Sequence, residues 1–254
     1  MRQCLFCSNR ADTLEHVWPD WILERLKGSR DTAMFGRISE RPVFWKGPKP
    51  ELTGRFVCGT CNNGWMHDLE NTNISILGSL MRDIALPIDT LQQYSIARWA
   101  TKTAMVMEAV TRQRRKCFYN QEEREQLRAT SDLPVDTFVW LARYAGNLHL
   151  VFTGTDVWDN EPNRPETLHG YVNTIGFGYL VIQVLSFHLP PNRQPASIAP
   201  HPAPWDKILV PVWPVRRTVY WPADITLSDT GRIGLGDLVS RWSFGATPLD
   251  KSPS

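Results

Sequence analysis

The sequence lacks long apolar segments and carries little excess charge of either sign. Among its 254 residues no apolar run reaches the roughly 18 residues that a membrane-spanning helix requires. The N-terminal residues also lack the apolar core of a signal peptide, so we expect a cytoplasmic protein without a membrane partner. The formal net charge is only +2, which is low for a protein that binds duplex DNA. Composition therefore gives no argument for nucleic acid, although a local basic face would be sufficient for binding.

Hydrophobic residues make up 42% of the chain and charged residues 21%, the proportions of an ordinary folded protein. The length allows one large domain or two modest ones. Four cysteines fall in the N-terminal part, the middle has helical periodicity, and the C-terminal part has the pattern of strands. We therefore predict an α+β fold, with a small cysteine-centred unit over residues 1–82 and helices plus an antiparallel β-sheet over residues 83–254.

Helical elements are predicted from the spacing of apolar residues. This spacing indicates a short helix over residues 17–26, a helix after Cys61, and a long helix over residues 89–115. Asn120 followed by Glu123 has the pattern of a capping box, which predicts the start of a further helix.

Strands and loops account for most of the remaining chain. Residues 27–51 are rich in glycine, proline and arginine, which is typical of a loop with one short hairpin. The proline-rich residues 190–204 favour an extended loop. Three hairpins are predicted in the C-terminal part, from residues 138–144 with 147–152, 168–175 with 179–188, and 207–213 with 218–221.

Cysteine spacing gives the clearest chemical signal. Of five cysteines, Cys4 with Cys7 and Cys58 with Cys61 form two C-x-x-C pairs, while Cys117 has no pair. In a cytosolic chain such pairs usually bind metal rather than form disulfides. Two pairs supply the four thiolates of a tetrahedral Zn²⁺ site, and because every position is filled by cysteine the site is predicted to be structural. The alternative is four buried or redox-active thiols.

Two further motifs accompany the cysteine pairs. Residues 15–19 read EHVWP, and residues 62–65, directly after the second pair, read NNGW. Together these motifs resemble the zinc-containing members of the HNH, or ββα-metal, nuclease superfamily. Such members have a C-x-x-C pair, an acidic residue followed by histidine with a nearby proline, and then C-x-x-C-N at the start of a helix. The resemblance covers about the first third of the chain and implies a ββα-metal module.

The resemblance also implies an activity and a set of site residues. It implies hydrolysis of DNA phosphodiester bonds with Mg²⁺ or Mn²⁺, in which Glu15 binds the catalytic cation and His16 is the general base. Asn62 would be a second ligand, and His67 and Glu70 are the local candidates for completing the site. This chemistry suits the residue types, because histidine titrates near neutral pH and hard cations prefer oxygen ligands.

Three features depart from the family pattern. Glu15 stands where aspartate is more common, and Thr53 stands near the position of an orienting asparagine. His67 matches the family's third histidine or lysine only loosely. A second hypothesis is therefore a non-catalytic zinc module that binds nucleic acid or a partner protein. Glu15 could instead favour a helix start and Asn62 could be only a helix cap. The intact pair of Glu15 and His16 favours the nuclease, since a binding module has no need to keep it.

The rest of the chain has no recognisable catalytic motif. We expect the part after about Arg82 to provide target recognition, an interface for a protein partner, or control of the nuclease. The basic run over residues 112–116 is either a solvated helix end or a phosphate-contacting patch. DNA is the expected substrate, with RNA left open, and the family's usual settings suggest restriction or defence against phage.

Overall fold

A computed structural model describes most of the chain. The residues that it describes are 2–26, 32–38, 41–47, 52–112, 117–158, 169–189, 203–229 and 234–240. The predicted proline-rich loop over residues 190–204 lies almost wholly outside these ranges. Within them the protein has both helices and strands, which confirms the predicted α+β class. None of the helices in these ranges has the length and apolar character needed to cross a membrane.

Eleven named strands and seven named α-helices follow one another along the described chain. In chain order they are β1 (Thr13–His16), α1 (Asp20–Leu26), β2 (Thr32–Ile38), β3 (Arg41–Gly47), β4 (Thr53–Val57), α2 (Gly59–Cys61), a π-helical turn (Asn62–Met66), α3 (His67–Leu80), β5 (Leu86–Ile88), α4 (Thr90–Thr111), α5 (Gln121–Ala129), β6 (Thr137–Arg143), β7 (Leu150–Trp158), β8 (His169–Phe177), β9 (Leu180–His188), α6 (Trp205–Ile208), β10 (Leu209–Trp213), β11 (Val219–Trp221) and α7 (Leu235–Ser240).

The N-terminal part contains two paired strands followed by a helix. Strands β1 and β4 are antiparallel, with Thr13 opposite Val57 and His16 opposite Thr53. The chain then enters α2, the π-helical turn and α3, with a non-helical backbone at Gly64. Between β1 and β4 the chain makes α1 and the β2–β3 hairpin, so the predicted loop over residues 27–51 does contain one hairpin.

Local signals correctly predict two helix starts. The Asp89 side chain accepts a hydrogen bond from the Gln92 backbone N–H, and the Gln92 side-chain oxygen accepts one from the Asp89 backbone N–H, which begins α4. Asn120 and Glu123 form the predicted capping box at α5. These reciprocal bonds satisfy backbone N–H groups that have no partner within the helix.

The largest sheet has the order β10-β6-β9-β8-β7-β2-β3. All neighbours are antiparallel except β2 and β7, which are parallel. The hairpin of β8 and β9 is as predicted, but the other two predicted hairpins are wrong. Strand β6 pairs with β9 and β10 rather than with β7, and β11 pairs with β5 rather than with β10.

The burial of β6 explains the first correction, and a buried side chain of α4 explains the second. Strand β6 is buried on both faces over nearly its whole length, so it belongs in the interior of a sheet rather than in a local hairpin. The connection between β10 and β11 is held at α4 by the buried side chain of Gln93. Its amide donates to the Arg217 carbonyl at 3.1 Å and accepts from the Arg216 backbone at 3.0 Å.

One hydrophobic core includes residues from both predicted units. Its buried members run along the chain from Cys4 to Trp221. At its centre lies Phe177 of β8. Its ring makes T-shaped contacts with the rings of Trp18, Trp21 and Trp99, with ring centroids 5.7–6.4 Å apart. Residues on both sides of position 82 therefore share one core, which fixes the N-terminal strands against α4 and the large sheet.

The turn between β8 and β9 gives a stability prediction. Gly178 has φ +59° and lies against the end of α3, where an added Cβ would meet the Met81 carbonyl oxygen at 2.5 Å. The same carbonyl accepts the Tyr179 N–H at 3.0 Å. We expect Gly178→Ala to lower the free energy of unfolding by about 2 kcal/mol through backbone strain and this contact.

Thermal denaturation of two matched variants tests this expectation. In α7, a Cβ on Gly236 would meet nothing within 4 Å, so Gly236→Ala is the control and should leave the melting temperature nearly unchanged. Equal melting temperatures for the two variants would contradict the account of the Gly178 turn.

Candidate functional site

The four paired cysteines are brought together by the β1–β4 region. A turn closed by the Cys4 N–H and the Asn9 carbonyl, 2.7 Å apart, carries the first pair. This turn is joined to β4 because the Leu5 N–H donates to the Phe56 carbonyl at 2.7 Å. The second pair follows directly, with Cys58 after β4 and Cys61 at the end of α2.

The cluster has the size of a tetrahedral metal site. All four thiols are buried and free, and their sulfur atoms lie within 4.8 Å of one another. The Cys7 sulfur lies 3.6 Å from that of Cys58 and 3.7 Å from that of Cys61. A tetrahedral zinc with metal–sulfur bonds of about 2.3 Å would separate its sulfur ligands by about 3.8 Å. The four cysteines could therefore hold a metal ion such as zinc.

Backbone N–H groups surround the sulfur atoms. The Sγ of Cys4 accepts from the Cys58 N–H at 3.3 Å and from the Phe6 N–H at 3.5 Å. Burial raises the pKa of Cys4 and of Cys61, whereas hydrogen bonds from the Cys61 backbone and from the neighbouring thiols lower the pKa of Cys58 to about 7, so Cys58 is the thiol that ionises first. Such bonds favour thiolate, which is the form that binds metal.

Strand β1 separates Glu15 from His16. Successive side chains of a strand point to opposite faces, and here Glu15 is only 6% exposed while His16 is half-buried. Opposite His16 in the ladder stands Thr53. Residues directly opposite in an antiparallel pair share a face, so Thr53 is the cross-strand neighbour of the His16 ring.

The start of the helix is tied to the same strand. The Asn62 amide nitrogen lies 3.3 Å from the Leu14 carbonyl and 3.4 Å from the Thr13 hydroxyl. Asn62 also begins the short segment that leads to the kink at Gly64. The first predicted ligand of the helix therefore lies next to the backbone that carries Glu15.

The structure also has a buried lysine that the sequence analysis did not identify. Lys102 projects from α4, is 2% exposed, and its Nζ lies 2.9 Å from Oε1 of Glu70. Burial raises the pKa of Glu15 to about 7, the charge of Lys102 opposes that rise, and the charge of Glu70 adds to it. The sequence does contain one indication of this residue, namely a single lysine among small and apolar residues of a helix. A charged side chain at such a position rarely lacks a partner.

The remaining sequence candidates have other contacts. His67 is exposed, and its Nε2 lies 2.9 Å from the side-chain nitrogen of Asn71, one turn further along α3. Within the basic run, Arg112 pairs with Asp156 at 2.5 Å and with Glu108 at 3.7 Å. The other members of the run, residues 113–116, lie outside the described residues, so the phosphate-patch hypothesis stays a prediction.

Comparison of the chain with protein-family models, curated proteins and solved structures found no match. Any function for the region around Glu15 and His16 is therefore inferred from motifs and geometry.

Burial of Glu15 gives a pH-dependent stability prediction. Its pKa is about 7 in the folded protein against an ordinary value of 4.5, so the folded state holds the proton more tightly than the unfolded chain. The stability that the protonated carboxyl provides is complete below about pH 4.5 and is lost as the pH rises through 7. Glutamine cannot ionise, so the advantage of Glu15→Gln should grow between pH 5 and pH 8 by up to about 3 kcal/mol.

Urea denaturation of the zinc-loaded protein at pH 5 and pH 8, without other divalent cations, measures this difference. Glu122→Gln is the matched control, because Glu122 is exposed in the first turn of α5. A stability difference for Glu15→Gln that stays constant across this range would contradict the described burial.

Proposed function

We propose that the protein is a metal-dependent endonuclease of the HNH type that hydrolyses phosphodiester bonds in DNA. One observation carries the proposal. The paired strands β1 and β4 and the helix that follows them hold Glu15, His16 and Asn62 beside a four-cysteine cluster. This is the arrangement that the sequence motifs predict for a ββα-metal module.

In this proposal the four cysteines bind Zn²⁺ and the zinc is structural. Four thiolates leave no coordination position for water or substrate. The ion joins the turn of Cys4 and Cys7 to the start of the helix, which fixes β1 between them. The role of the cluster is thus to hold the strand and helix that carry the reactive groups.

His16 is proposed as the general base. A neutral imidazole accepts a proton from water near neutral pH, and a positioned base typically contributes about 10²–10⁴-fold to a rate. The side chain is half-buried, so it keeps access to solvent while the strand restricts its backbone. Its position next to Glu15 lets one short segment carry both the base and a cation ligand.

In this proposal a divalent cation is held by oxygen atoms from β1 and from the start of the helix. Glu15 offers a carboxylate, and Asn62 donates its amide nitrogen to Leu14, which leaves its amide oxygen as a ligand atom. Mg²⁺ and Mn²⁺ favour such oxygen ligands. When bound, the cation would polarise the phosphodiester and stabilise the leaving oxygen.

We further propose that the rest of the chain selects the target or binds a protein partner. The wider role would be restriction or defence against phage, which are settings typical of the family that the motifs resemble. The competing function is a zinc module that binds nucleic acid or a partner without cutting.

Cleavage of supercoiled plasmid and of structured RNA by the purified, zinc-loaded protein tests the proposal. We expect nicked or linear plasmid in Mg²⁺ or Mn²⁺, and none after EDTA treatment. Cleavage of RNA alone would keep the chemistry and change the substrate. Binding of DNA without cleavage in either metal, by folded protein with full zinc content, would favour the non-catalytic module.

Thr53 supplies a further prediction for this site. Threonine is shorter than asparagine and carries no amide, so we expect it to orient the His16 ring across the ladder less well than asparagine would. We expect Thr53→Asn to raise kcat/KM for plasmid cleavage about threefold, because a second hydrogen-bonding group fixes the orientation of a catalytic histidine. Thr60→Asn, at an exposed position in α2, is the matched control. A slower Thr53→Asn enzyme with unchanged stability would contradict this role.

A further inference from the structure

The paired strands β1 and β4 have one face toward the core and one face toward solvent. A Cβ added to Gly54 would lie 1.7 Å from the ring of Phe56, so these two residues share a face, and Phe56 is buried. Because successive side chains of a strand alternate, Thr53 and Arg55 lie on the opposite face. His16 pairs with Thr53 in the ladder and shares that face. We call the face that carries Thr53, Arg55 and His16 the outer face.

Arg55 places a positive charge on the outer face. Its side chain is exposed, and its Nη1 donates a hydrogen bond to the Asp12 carbonyl at 2.9 Å. That bond restricts the position of the guanidinium group without neutralising its charge. A guanidinium group has five N–H donors, so four remain for a ligand.

The acid closest to Arg55 in the chain fold is engaged elsewhere. The carboxylate of Asp12 accepts the N–H of Gly59 at 2.9 Å, at the start of α2. Within the described part of the chain, Arg55 forms no ion pair with a carboxylate. The outer face therefore has a positioned cation that no acidic group of these residues compensates.

The separation between Arg55 and the His16 pair suits a nucleic-acid strand. Arg55 is two positions beyond Thr53 in β4, which is about 7 Å along a strand. In duplex DNA the phosphates of one strand recur about every 3.4 Å along the helix axis. A strand whose cleaved bond lies at His16 thus has a nearby phosphate beside Arg55. The planar fork of arginine matches the oxygen atoms of a phosphate.

We propose that Arg55 binds a backbone phosphate of the substrate strand, close to the bond that is cleaved at His16. This inference rests on the proposed function, since it assigns the ligand of Arg55 from the position of His16. Such a contact fixes the position of the strand on the protein and carries no sequence information. It also supplies the local basic group that the low net charge of the chain does not reveal.

The salt dependence of DNA binding tests the inference. The affinity of full-length, zinc-loaded protein for a fluorescein-labelled DNA duplex is measured by anisotropy at several NaCl concentrations, without divalent cations. Each phosphate contact adds about 0.9 to the slope of log affinity against log salt. We expect Arg55→Gln to weaken binding about tenfold and to lower this slope by about one. Arg55→Lys keeps the charge, so its slope should equal that of the wild-type protein.

Arg2→Gln is the matched control. Arg2 is also exposed, but its Cζ lies 6.0 Å from the centre of the Phe56 ring, on the side of β4 away from Arg55. The variant removes the same charge from the same part of the chain, and its slope should stay close to the wild-type value. Equal changes in Arg2→Gln and Arg55→Gln would reduce the effect to net charge and overturn the inference.

A second measurement uses the unaltered protein, so that a poorly folded variant does not decide the matter. Added duplex should shift the side-chain ¹⁵Nε–H resonance of Arg55 and leave that of Arg2 nearly unchanged. An unshifted Arg55 resonance, or no binding of DNA by the wild-type protein, would overturn the inference. Displacement of the duplex by poly-L-glutamate at an equal concentration of charge would also overturn it, because the surface would then suit an acidic protein equally well.

Plasmid cleavage separates this inference from the proposed function. Cutting by the wild-type protein, together with an unchanged affinity and slope in Arg55→Gln, would reject the role of Arg55 and keep the nuclease. DNA binding that requires Arg55, in a protein that does not cut nucleic acid in Mg²⁺ or Mn²⁺, would keep the phosphate contact and reject the nuclease.

Discussion

We expect a Cys58→Ser variant to lose its zinc and to unfold at a much lower temperature than the wild-type protein. The four thiols are buried together, and metal binding by such sets contributes roughly 10–16 kcal/mol in isolated zinc modules. In this protein the hydrophobic core also includes α4 and the large sheet, so part of the fold should remain without the metal. A loss of about 4 kcal/mol or more would lower the melting temperature by roughly 10 °C or more in a chain of this size.

Zinc content by atomic absorption and thermal denaturation measure this effect. Cys117→Ser makes the same atomic change at a half-buried thiol outside the cluster, so it should keep one zinc per chain and a nearly unchanged melting temperature. Full zinc occupancy in Cys58→Ser, or equal melting of the two variants, would show that the cluster is not a metal site that stabilises the fold.

His16→Ala is expected to lower the single-turnover rate of plasmid cleavage by about 10²–10⁴-fold, which is the usual contribution of a general base. The histidine is half-buried at the end of β1, so its removal should leave the four-cysteine cluster and the large core in place. Zinc content and melting temperature should therefore stay close to those of the wild-type protein.

Added imidazole provides the control for this variant. It can enter the space left by the ring and accept the proton, so the rate of His16→Ala should rise with imidazole concentration while that of the wild-type enzyme does not. A variant that cuts at the wild-type rate would remove His16 from the chemistry. Loss of zinc in the variant would assign the histidine a structural role.

The parts of the fold that the sequence predicts correctly depend on neighbouring residues. The spacing within each C-x-x-C pair places two thiols close together, as the structure shows. The capping box of Asn120 and Glu123 uses bonds between residues three positions apart. The hairpin of β8 and β9 needs only a tight turn at Gly178. Each of these features is decided within a few residues.

Pairings between distant segments are not predictable in this way. The turn signal after residue 144 suggests a hairpin, yet β6 lies between β9 and β10 because both of its faces are buried. Strand β2, from the N-terminal part, runs parallel to β7. Such positions depend on how the whole core packs, and one-dimensional periodicity does not contain that information.

The residues of the candidate site also divide into those that local motifs predict and those that are found only in the folded protein. Glu15, His16 and Asn62 are found from motifs because they adjoin the cysteine pairs. Lys102 is about 30 residues further along the chain than Glu70 and reaches it only because α3 packs against α4. A buried charge is recognisable in a sequence as an exception to a pattern, but its partner is found only in the folded protein.

Plasmid cleavage by zinc-loaded wild-type and His16→Ala protein, compared in Mg²⁺ and in EDTA, tests the central claim most directly. The account predicts Mg²⁺-dependent cutting by the wild-type protein that EDTA abolishes and that the variant lacks while keeping its zinc. Equal cutting by both proteins, or no cutting by folded wild-type protein in Mg²⁺ or Mn²⁺, would contradict it.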